Sequence, residues 1–575
     1  MNQVVNEQLE SRFWVEQYRE GVPHDITEQL DRYRSINHYA KQCFEDYADR
    51  VAFENAGSTM TYGLLAERVE QLAAWLERQG VVKGDRVAIM LPNSLQYPVC
   101  LFAAMRIGAV VVNVNPLYTA HELAHVLEDS KPKIMFVFEN FAHTVEQVID
   151  GSSVQRIVLT QLGDLFSDGL NLKGHLINFI LRRNMVPPYQ LRGAVWLNAI
   201  IEKGARPSID DPCKPEDIAF LQYTGGTTGR SKGAMLTHRN ILANCTQVKG
   251  WFEGQWDPKN IEMTVSPLPL YHVYSLVVNC LIFMGIGGHN ILITNPRDCK
   301  RVLKMIRRKG FTGITAVNTL FQNFLDAPEF KDVDFSKLKL AMAGGAALQK
   351  SVALKWYEST GTVLSEGYGL TECSPIVTMP PVHFDRIGLP YAGNVGVPIP
   401  STEIRLITEA GTAAGINEPG ELWVRGPQVM KGYWQRPDET ADVLDADGWL
   451  RTGDVAVVGP EGYVKIVDRL KDLILVSGFN VFPNEIEDAL AMHPDVVECA
   501  VVGVPHDGTG EKVKAVVYSH NAALSLDELR QHCEQYLTRY KLPTLLEVRN
   551  EPLPKTPVGK ILRKTLRDEA LAADT

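Results

Sequence analysis

Tyr223-Thr224-Gly225-Gly226-Thr227-Thr228-Gly229-Arg230-Ser231-Lys232-Gly233 follows directly on the strand-like run Asp217-Ile218-Ala219-Phe220-Leu221-Gln222. The stretch gathers four glycines, three threonines and a serine around two cations. Glycine accepts positive φ and lets backbone N–H groups approach an anion closely, while hydroxyls and a lysine complete a cradle for phosphate oxygens. Such a grip on a polyphosphate restricts the chemistry to nucleotide hydrolysis, phosphoryl transfer or nucleotidyl transfer. A P-loop would need glycine immediately before the lysine and a hydroxyl residue immediately after it. Here Ser231 precedes Lys232 and Gly233 follows, so that spacing fails. A glycine-rich surface loop has the same composition, and the choice rests on what else the chain carries.

Two further constellations stand far along the chain. In Glu366-Gly367-Tyr368-Gly369-Leu370-Thr371-Glu372 an aromatic ring flanked by glycines can lie flat against a purine. Glu372 is a hard oxygen ligand of the kind magnesium takes when it also bridges nucleotide phosphates; a tight turn with a solvated glutamate is the plainer reading. Gly448-Trp449-Leu450-Arg451-Thr452-Gly453-Asp454 is followed by Asp468-Arg469-Leu470-Lys471-Asp472. A carboxylate after a glycine turn suits bidentate acceptance from two ribose hydroxyls, with an arginine beside it. Taken alone, Asp454 reads first as a turn aspartate.

In this order, these stretches resemble the adenylate-forming superfamily of acyl-CoA ligases, luciferases and peptide-synthetase adenylation domains. The glycine-rich stretch is similar to its phosphate loop, Tyr368 to Glu372 to its adenine and magnesium motif, and Thr452-Gly453-Asp454 to its ribose motif. Pro554-Lys555-Thr556-Pro557-Val558-Gly559-Lys560 resembles the C-terminal motif with the family's catalytic lysine, which maps to Lys560. Within the superfamily the chain most resembles bacterial long-chain fatty-acyl-CoA ligases. That likeness extends over residues 14–23, Leu91-Pro92-Asn93, Asn115-Pro116-Leu117-Tyr118, residues 267–272 and residues 476–481. The wider superfamily often has serine and proline where this chain has Gly225 and Ser231, a difference expected to alter loop stiffness without removing a phosphate ligand.

Composition agrees with such an enzyme. A chain of 575 residues exceeds what one core usually supports, so at least two domains are expected. With 45% apolar and 22% charged residues it reads as an ordinary globular protein. The net charge of −10 argues against a nucleic-acid partner. Nine scattered cysteines without zinc-like spacing favour reduced thiols in the cytoplasm. The start of the chain lacks the apolar core of a secretory signal. The apolar runs at residues 99–114 and 276–294 are interrupted by Arg106, Asn279, His289 and Asn290, so neither predicts a membrane span.

Strand-like and helix-like stretches alternate over the first 460 or so residues, which predicts an α/β fold of parallel or mixed sheets covered by helices. Residues 86–91 and 133–138 read as buried strands, and apolar positions 65, 69, 72, 73 and 76 trace one helical face. A boundary is expected at 468/469, dividing an N-terminal AMP- and acyl-binding domain (1–468) from a smaller α+β domain (469–575). The resemblance makes the latter a mobile lid hinged at Lys471.

The resemblance also implies the reaction and its residues. A fatty carboxylate attacks the α-phosphorus of ATP to give acyl-adenylate and pyrophosphate, and the thiol of coenzyme A then displaces AMP. Catalytic roles fall on Lys560, Glu372, Lys232 and His272, the last expected as a steric gate and not a general base. Tyr223, Thr224, Gly225, Gly226, Thr227, Thr228, Gly229, Lys232, Gly344, Gly345, Glu366, Gly367, Tyr368, Gly369, Thr371, Asp454, Arg469 and Lys560 are expected around ATP and AMP. Glu372 and Thr224 would hold magnesium. Gly478, Phe479 and Asn480 would line the route for coenzyme A after the lid turns.

The small side chains of residues 342–347 would leave room beside an acyl chain, or serve only to pack a strand end. Residues 170–189 mix Lys173, Arg182 and Arg183 with Leu176, Ile177, Phe179, Ile180 and Leu181, a pattern suited to peripheral contact with a membrane surface or to a helix packed on the domain. A homodimer is the family expectation. The competing readings are a medium-chain or aromatic acyl-CoA ligase, an acyl-AMP ligase serving a carrier protein, and a non-catalytic adenine-nucleotide-binding regulator.

Overall fold

The structure, a computed structural model, describes residues 12–166, 171–224, 231–257, 259–382, 391–477, 479–506, 509–556 and 559–573. Two seven-stranded sheets dominate it. The first runs in the order Leu364–Glu366, Leu340–Ala343, Gly313–Ala316, Met263–Ser266, His289–Leu292, Val51–Asn55 and Ser58–Thr61. The second runs Val195–Trp196, Arg156–Thr160, Ile134–Phe138, Arg86–Met90, Val110–Asn113, Ile218–Thr224 and Lys232–Thr237. Both are parallel except for one antiparallel strand at an edge. Their strands are short, wholly buried apolar runs such as Ile134–Phe138, which is what a parallel sheet covered on both faces requires.

Helix Gln96–Arg106 is buried from Gln96 to Met105 and belongs to an apolar cluster that draws on both large sheets. Helix Tyr62–Arg78, opened by the Thr61 hydroxyl accepting from Leu64 N, packs beside it. The predicted helix face at 65–76 and the two predicted strands are therefore present. The apolar run 99–114 is this helix followed by strand Val110–Asn113, and the run 276–294 is the π-helix Leu276–Ile282 and strand His289–Leu292. Among the described residues no helix is long and apolar enough to cross a membrane.

The alternating pattern does not persist to residue 460. Strands Glu403–Ile407, Gly420–Arg425, Leu450–Val458 and Val464–Arg469 form an antiparallel meander. Burial alternates in Glu403–Ile407 and Gly420–Arg425 (the latter reads buried, half-buried, buried), so these two strands turn one face to the core and leave the other half-buried. Residues 474–549 build a separate five-stranded sheet with its own apolar clusters, flanked by helices Pro483–Leu490, Leu526–Cys533 and Arg563–Ala573.

Behind the sheet edge Leu340–Ala343 and Leu364–Glu366 lies an aromatic nest around Trp356, which is fully buried. Its ring meets Phe321 edge-on at 4.9 Å and Phe330 and Phe335 at 5.6 Å. This packing fixes the strand ends that carry Gly344, Gly345 and Glu366. Trp356→Ala should cost about 3–5 kcal/mol, read as a lowered midpoint in denaturant, whereas Trp356→Phe should retain most of the stability.

Candidate active site

A chain of buried amides braces the strand that leads into the glycine-rich loop. Tyr97 donates to Asn113 Oδ1 (2.7 Å) and so does not compete for its amide, which donates to Gln222 Oε1 (3.0 Å); Gln222 in turn donates to Tyr271 O (2.6 Å). Asn93 donates to Ser266 O and Leu268 O and accepts from Leu270 N at 2.7 Å. All four polar side chains are buried, where an unpaired amide would cost about 1–3 kcal/mol. Two distant segments singled out in sequence, 91–93 and 267–272, are thus tied together and set against strand Ile218–Thr224.

That strand ends at Thr224, which lies opposite Lys232 on the antiparallel partner strand Lys232–Thr237. Gly225, Gly226, Thr227, Thr228 and Gly229 lie outside the described residues. Tyr223 turns its hydroxyl to Asp129 (2.7 Å), so its side chain is engaged in the wall. Lys232 pairs with Glu439 and stands 5.1 Å over the Tyr433 ring. Tyr433 donates to Glu372 Oε1 at 2.8 Å, and Glu372 O accepts from Met430 N at 2.7 Å. The segment 430–436 therefore links Lys232 to the carboxylate of the Tyr368–Glu372 motif. Sequence reasoning missed Tyr433 and Glu439, and the glycine and aromatic of Lys431-Gly432-Tyr433-Trp434 were the only signal available.

Asp454 is buried beside Tyr368, whose hydroxyl donates to its Oδ2 at 2.6 Å, and beside Arg469, whose Nε stands 3.3 Å from its Oδ1. Burial raises the Asp454 carboxyl above its usual range, and the Arg469 cation opposes that rise. Tyr368 and Asp454 come from different sheets, and Arg469 lies opposite Asp454 in the meander. Glu366 accepts from Leu348 N at 3.1 Å, and burial pushes its carboxyl up to about 8. Gly344 lies against the Tyr274 ring, which a Cβ would approach at 3.0 Å.

Lys560 enters this recess from the far end of the chain. It lies in a tight hairpin in which Lys555 and Ile561 form a bridge and Thr556 N donates to Lys560 O at 2.7 Å. The preceding Gly559 has φ +90°, and its carbonyl accepts from Thr319 Oγ1 at 2.9 Å, seating the hairpin on the large domain. The Lys560 Cε would lie 3.4 Å from a Cβ at Gly345, which itself has φ +81°. Burial pulls the ammonium down to about 8; Arg469 adds repulsion, and the carboxylates of Asp454 and Glu372 resist the fall. His272 stands nearby, half-buried, and is pulled down to about 3, first by desolvation and then by the Lys560 charge, so it is neutral at physiological pH. Its Nδ1 accepts from Tyr274 N at 3.4 Å.

Beyond Tyr274 runs a narrow apolar cavity lined by Val248, Phe252, Trp256, Val278, Met342 and Met379, among others. Val278 belongs to the π-helix Leu276–Ile282, a rare element that often marks functional sites. Met342 lines this cavity, Gly344 lies against the Tyr274 ring that also lines it, and Gly345 lies against Lys560, so the small-residue run lies between the cavity and the lysine.

Among the described residues no three His, Cys, Asp or Glu side chains form a protein-only metal cage. Magnesium bound with a nucleotide takes one or two carboxylates and completes its shell from phosphates and water. Glu372, with one oxygen already oriented by Tyr433, and Thr224 at the mouth of the loop are donors of the right kind. Phe479 and Asn480 are not brought to this recess: Phe479 is exposed against Tyr540, and Asn480 donates to Glu409 at 2.8 Å. Gly478 lies outside the described residues, and Lys471 is exposed between the meander and the C-terminal sheet.

Comparison with known proteins agrees with this geometry. The AMP-binding enzyme model matches residues 40–434, and the AMP-binding enzyme C-terminal domain model matches residues 485–560. The chain is 48% identical over 571 residues to a long-chain-fatty-acid–CoA ligase of Yersinia pestis, covering 98% of this chain and 99% of that one. It is 49% identical over 563 residues to the long-chain-fatty-acid–CoA ligase of Escherichia coli O157:H7, covering 97% and 98%. The crystal structure of ATP-bound MatB from Rhodopseudomonas palustris superposes with a TM-score of 0.79 at 28% identity, covering 94% of this chain and 100% of that one. The chain belongs to the AMP-binding enzyme family.

Proposed function

We propose that the protein activates a long-chain fatty acid to its coenzyme A thioester at the expense of ATP, through an acyl-adenylate. The observation that carries this reading is the convergence of half-buried Lys560 on one recess with Asp454, Arg469 and Glu372, next to an apolar cavity. In the first step a carboxylate oxygen bonds to the α-phosphorus and the bond to pyrophosphate breaks. Both reactants are anions, and a preorganised cation in a water-poor site is the strongest means of stabilising the charge that develops between them.

Lys560 supplies that cation, with its hairpin held by Thr319. Asp454 accepts from the ribose hydroxyls and is kept in place by Tyr368 and Arg469. Lys232 and the threonines of the loop hold the β- and γ-phosphates, which requires Lys232 to exchange Glu439 for phosphate. Glu372 and Thr224 would hold magnesium, which when bound neutralises phosphate charge and favours pyrophosphate as leaving group. In the second step the thiol adds to the acyl carbonyl and AMP departs with the former carboxylate oxygen. Neutral His272 shapes the approach; an acyl phosphate leaves readily enough that thiol attack needs little base.

The reading divides the chain at 468/469 with a pivot at Lys471. Lys560 closes the recess while Phe479 and Asn480 face outward, so the thiol can reach the carbonyl only after the lid turns. Lys560→Ala should lower acid-dependent ATP–pyrophosphate exchange by about 10²–10³. Thioester formation from supplied acyl-adenylate should stay within a few-fold of wild type. Equal loss in both half-reactions would contradict the role given to Lys560.

The pH profile supplies an independent check. The reactive form of Lys560 is the cation, and its proton is lost as pH rises through about 8. The adenylation kcat/KM should therefore be level below that pH and fall about tenfold per unit above it. Lys560→Arg keeps its charge, so it should lose this limb even though Glu366 titrates in the same range. A limb that persists in Lys560→Arg would assign it to another group.

Peripheral contact with a lipid surface belongs to the same reading. Helix Leu172–Met185 docks by a polar stripe, with Asn178 accepting from Gly163 N (2.7 Å) and donating to Asp164 (2.9 Å). Leu172, Leu176, Phe179, Ile180 and Met185 are all left exposed. Replacing Leu176 and Phe179 with Asp should weaken sedimentation with phosphatidylglycerol vesicles by about tenfold or more. Wild-type protein that does not sediment with these vesicles would end the membrane reading.

A further inference from the structure

Arg563, three residues beyond Lys560, sits at the centre of a buried charge cluster at the base of the lid. Its Nε and Nη2 donate to the two oxygens of Glu487 at 2.9 and 2.6 Å. Nη2 also meets Asn484 Oδ1, and Nη1 lies 3.3 Å from Asp468 Oδ1 and 3.4 Å from Asp472 Oδ2. Asp468 is wholly enclosed; it also accepts from Arg469 N at 2.8 Å and from Asn484 N at 2.7 Å. Asn484 Nδ2 donates to Val467 O at 3.1 Å.

These contacts divide cleanly at Lys471. Glu487, Asn484 and Asp472 follow it in the chain and travel with Arg563. Asp468 and Val467 precede it, in the strand Val464–Arg469 that belongs to the meander. A turn of the lid about Lys471 can preserve the bidentate Arg563–Glu487 pair. It must break or remake Arg563–Asp468, Asn484 N–Asp468 and Asn484–Val467. A buried carboxylate stripped of its cation is strongly disfavoured unless water reaches it. The three contacts therefore favour the orientation in which they exist, the one that seats Lys560.

We propose that Asp468 and Arg563 form a clasp across the pivot, which holds the lid in the adenylate-forming orientation and must open before the thioester step. This rests on the function proposed above. Arg563 is then a positioning residue: it touches no reacting atom and acts by placing Lys560, to which it is tied by two intervening residues and the Lys555–Ile561 bridge. Asp468 acts on the same geometry from the other side of the pivot.

The clasp predicts an asymmetric effect. In Asp468→Asn, acid-dependent ATP–pyrophosphate exchange should fall by about tenfold, while thioester formation from supplied acyl-adenylate and coenzyme A is unchanged or faster, because the open orientation gains population. Arg563→Lys keeps the charge but not the fork of donors, and it should shift the ratio of the two rates in the same direction by a smaller factor. Tryptic cleavage after Arg469 and Lys471, followed on the substrate-free full chain, should accelerate several-fold in both variants at temperatures well below their unfolding midpoints. Equal falls in both half-reactions, or an unchanged ratio with unchanged cleavage, would overturn the clasp. Wild-type enzyme that releases no acid-dependent AMP would instead overturn the function on which it rests.

Discussion

On the proposed mechanism two anions have to meet at this site, and one ammonium from the end of the chain, that of Lys560, would bring them together. A lysine in a desolvated recess is weakened as a cation, which is why Lys560 falls to about 8, and the neighbouring guanidinium of Arg469 deepens the effect. A triphosphate and a carboxylate would reverse the balance by supplying negative charge at short range. The site is thus arranged so that the cation is most stable when both substrates are in place. The surrounding structure can be understood as the means of delivering that one group: Thr319 and Gly345 receive the hairpin, and Asp454 and Glu372 keep the proton on the lysine until the substrates arrive.

Delivery from a separate sheet has a structural consequence. The strands that carry Thr224, Gly344 and Glu366 are parallel and braced from behind by buried helices and by the Tyr97–Asn113–Gln222 amide chain. They do not have to move. Asp454 and Arg469 sit in the antiparallel meander, which leads directly into the segment around Lys471, so on the proposed mechanism the ribose contacts would lie where the fixed part ends and the turning part begins. Lys232 is engaged by Glu439 and Tyr433, a pairing between partly exposed groups that a phosphate can displace at little cost.

Much of this was legible in the chain. The order of the glycine-rich loop, Tyr368–Glu372, Asp454 and Lys560 carried the family, and the structure brings Tyr368, Glu372, Asp454, Arg469 and Lys560 into one recess. Helix Tyr62–Arg78 and the buried strands Arg86–Met90 and Ile134–Phe138 were legible from periodicity and apolar runs because burial on one or both faces imposes that pattern. The meander was not, because its strands, half-buried and joined by turns, follow a helix–strand alternation that encouraged extending a parallel sheet through them. Tyr433 and Glu439 were missed because their contacts depend on a loop folding back along strand Lys232–Thr237, which no local spacing announces. The same holds for Arg563: an arginine in a terminal helix carries no sign of the four partners that enclose it, since they come from one other helix, one strand and the turn that follows the strand.

The central claim is that the fatty carboxylate itself attacks the α-phosphorus of ATP beside Lys560. The most direct test is to supply a long-chain acid labelled with ¹⁸O in both carboxylate oxygens and to examine the AMP released in the presence of coenzyme A by mass spectrometry. The account predicts one labelled oxygen in each AMP, transferred through the acyl-adenylate. AMP that carries no label, with acyl-CoA formed at the same rate, would contradict it.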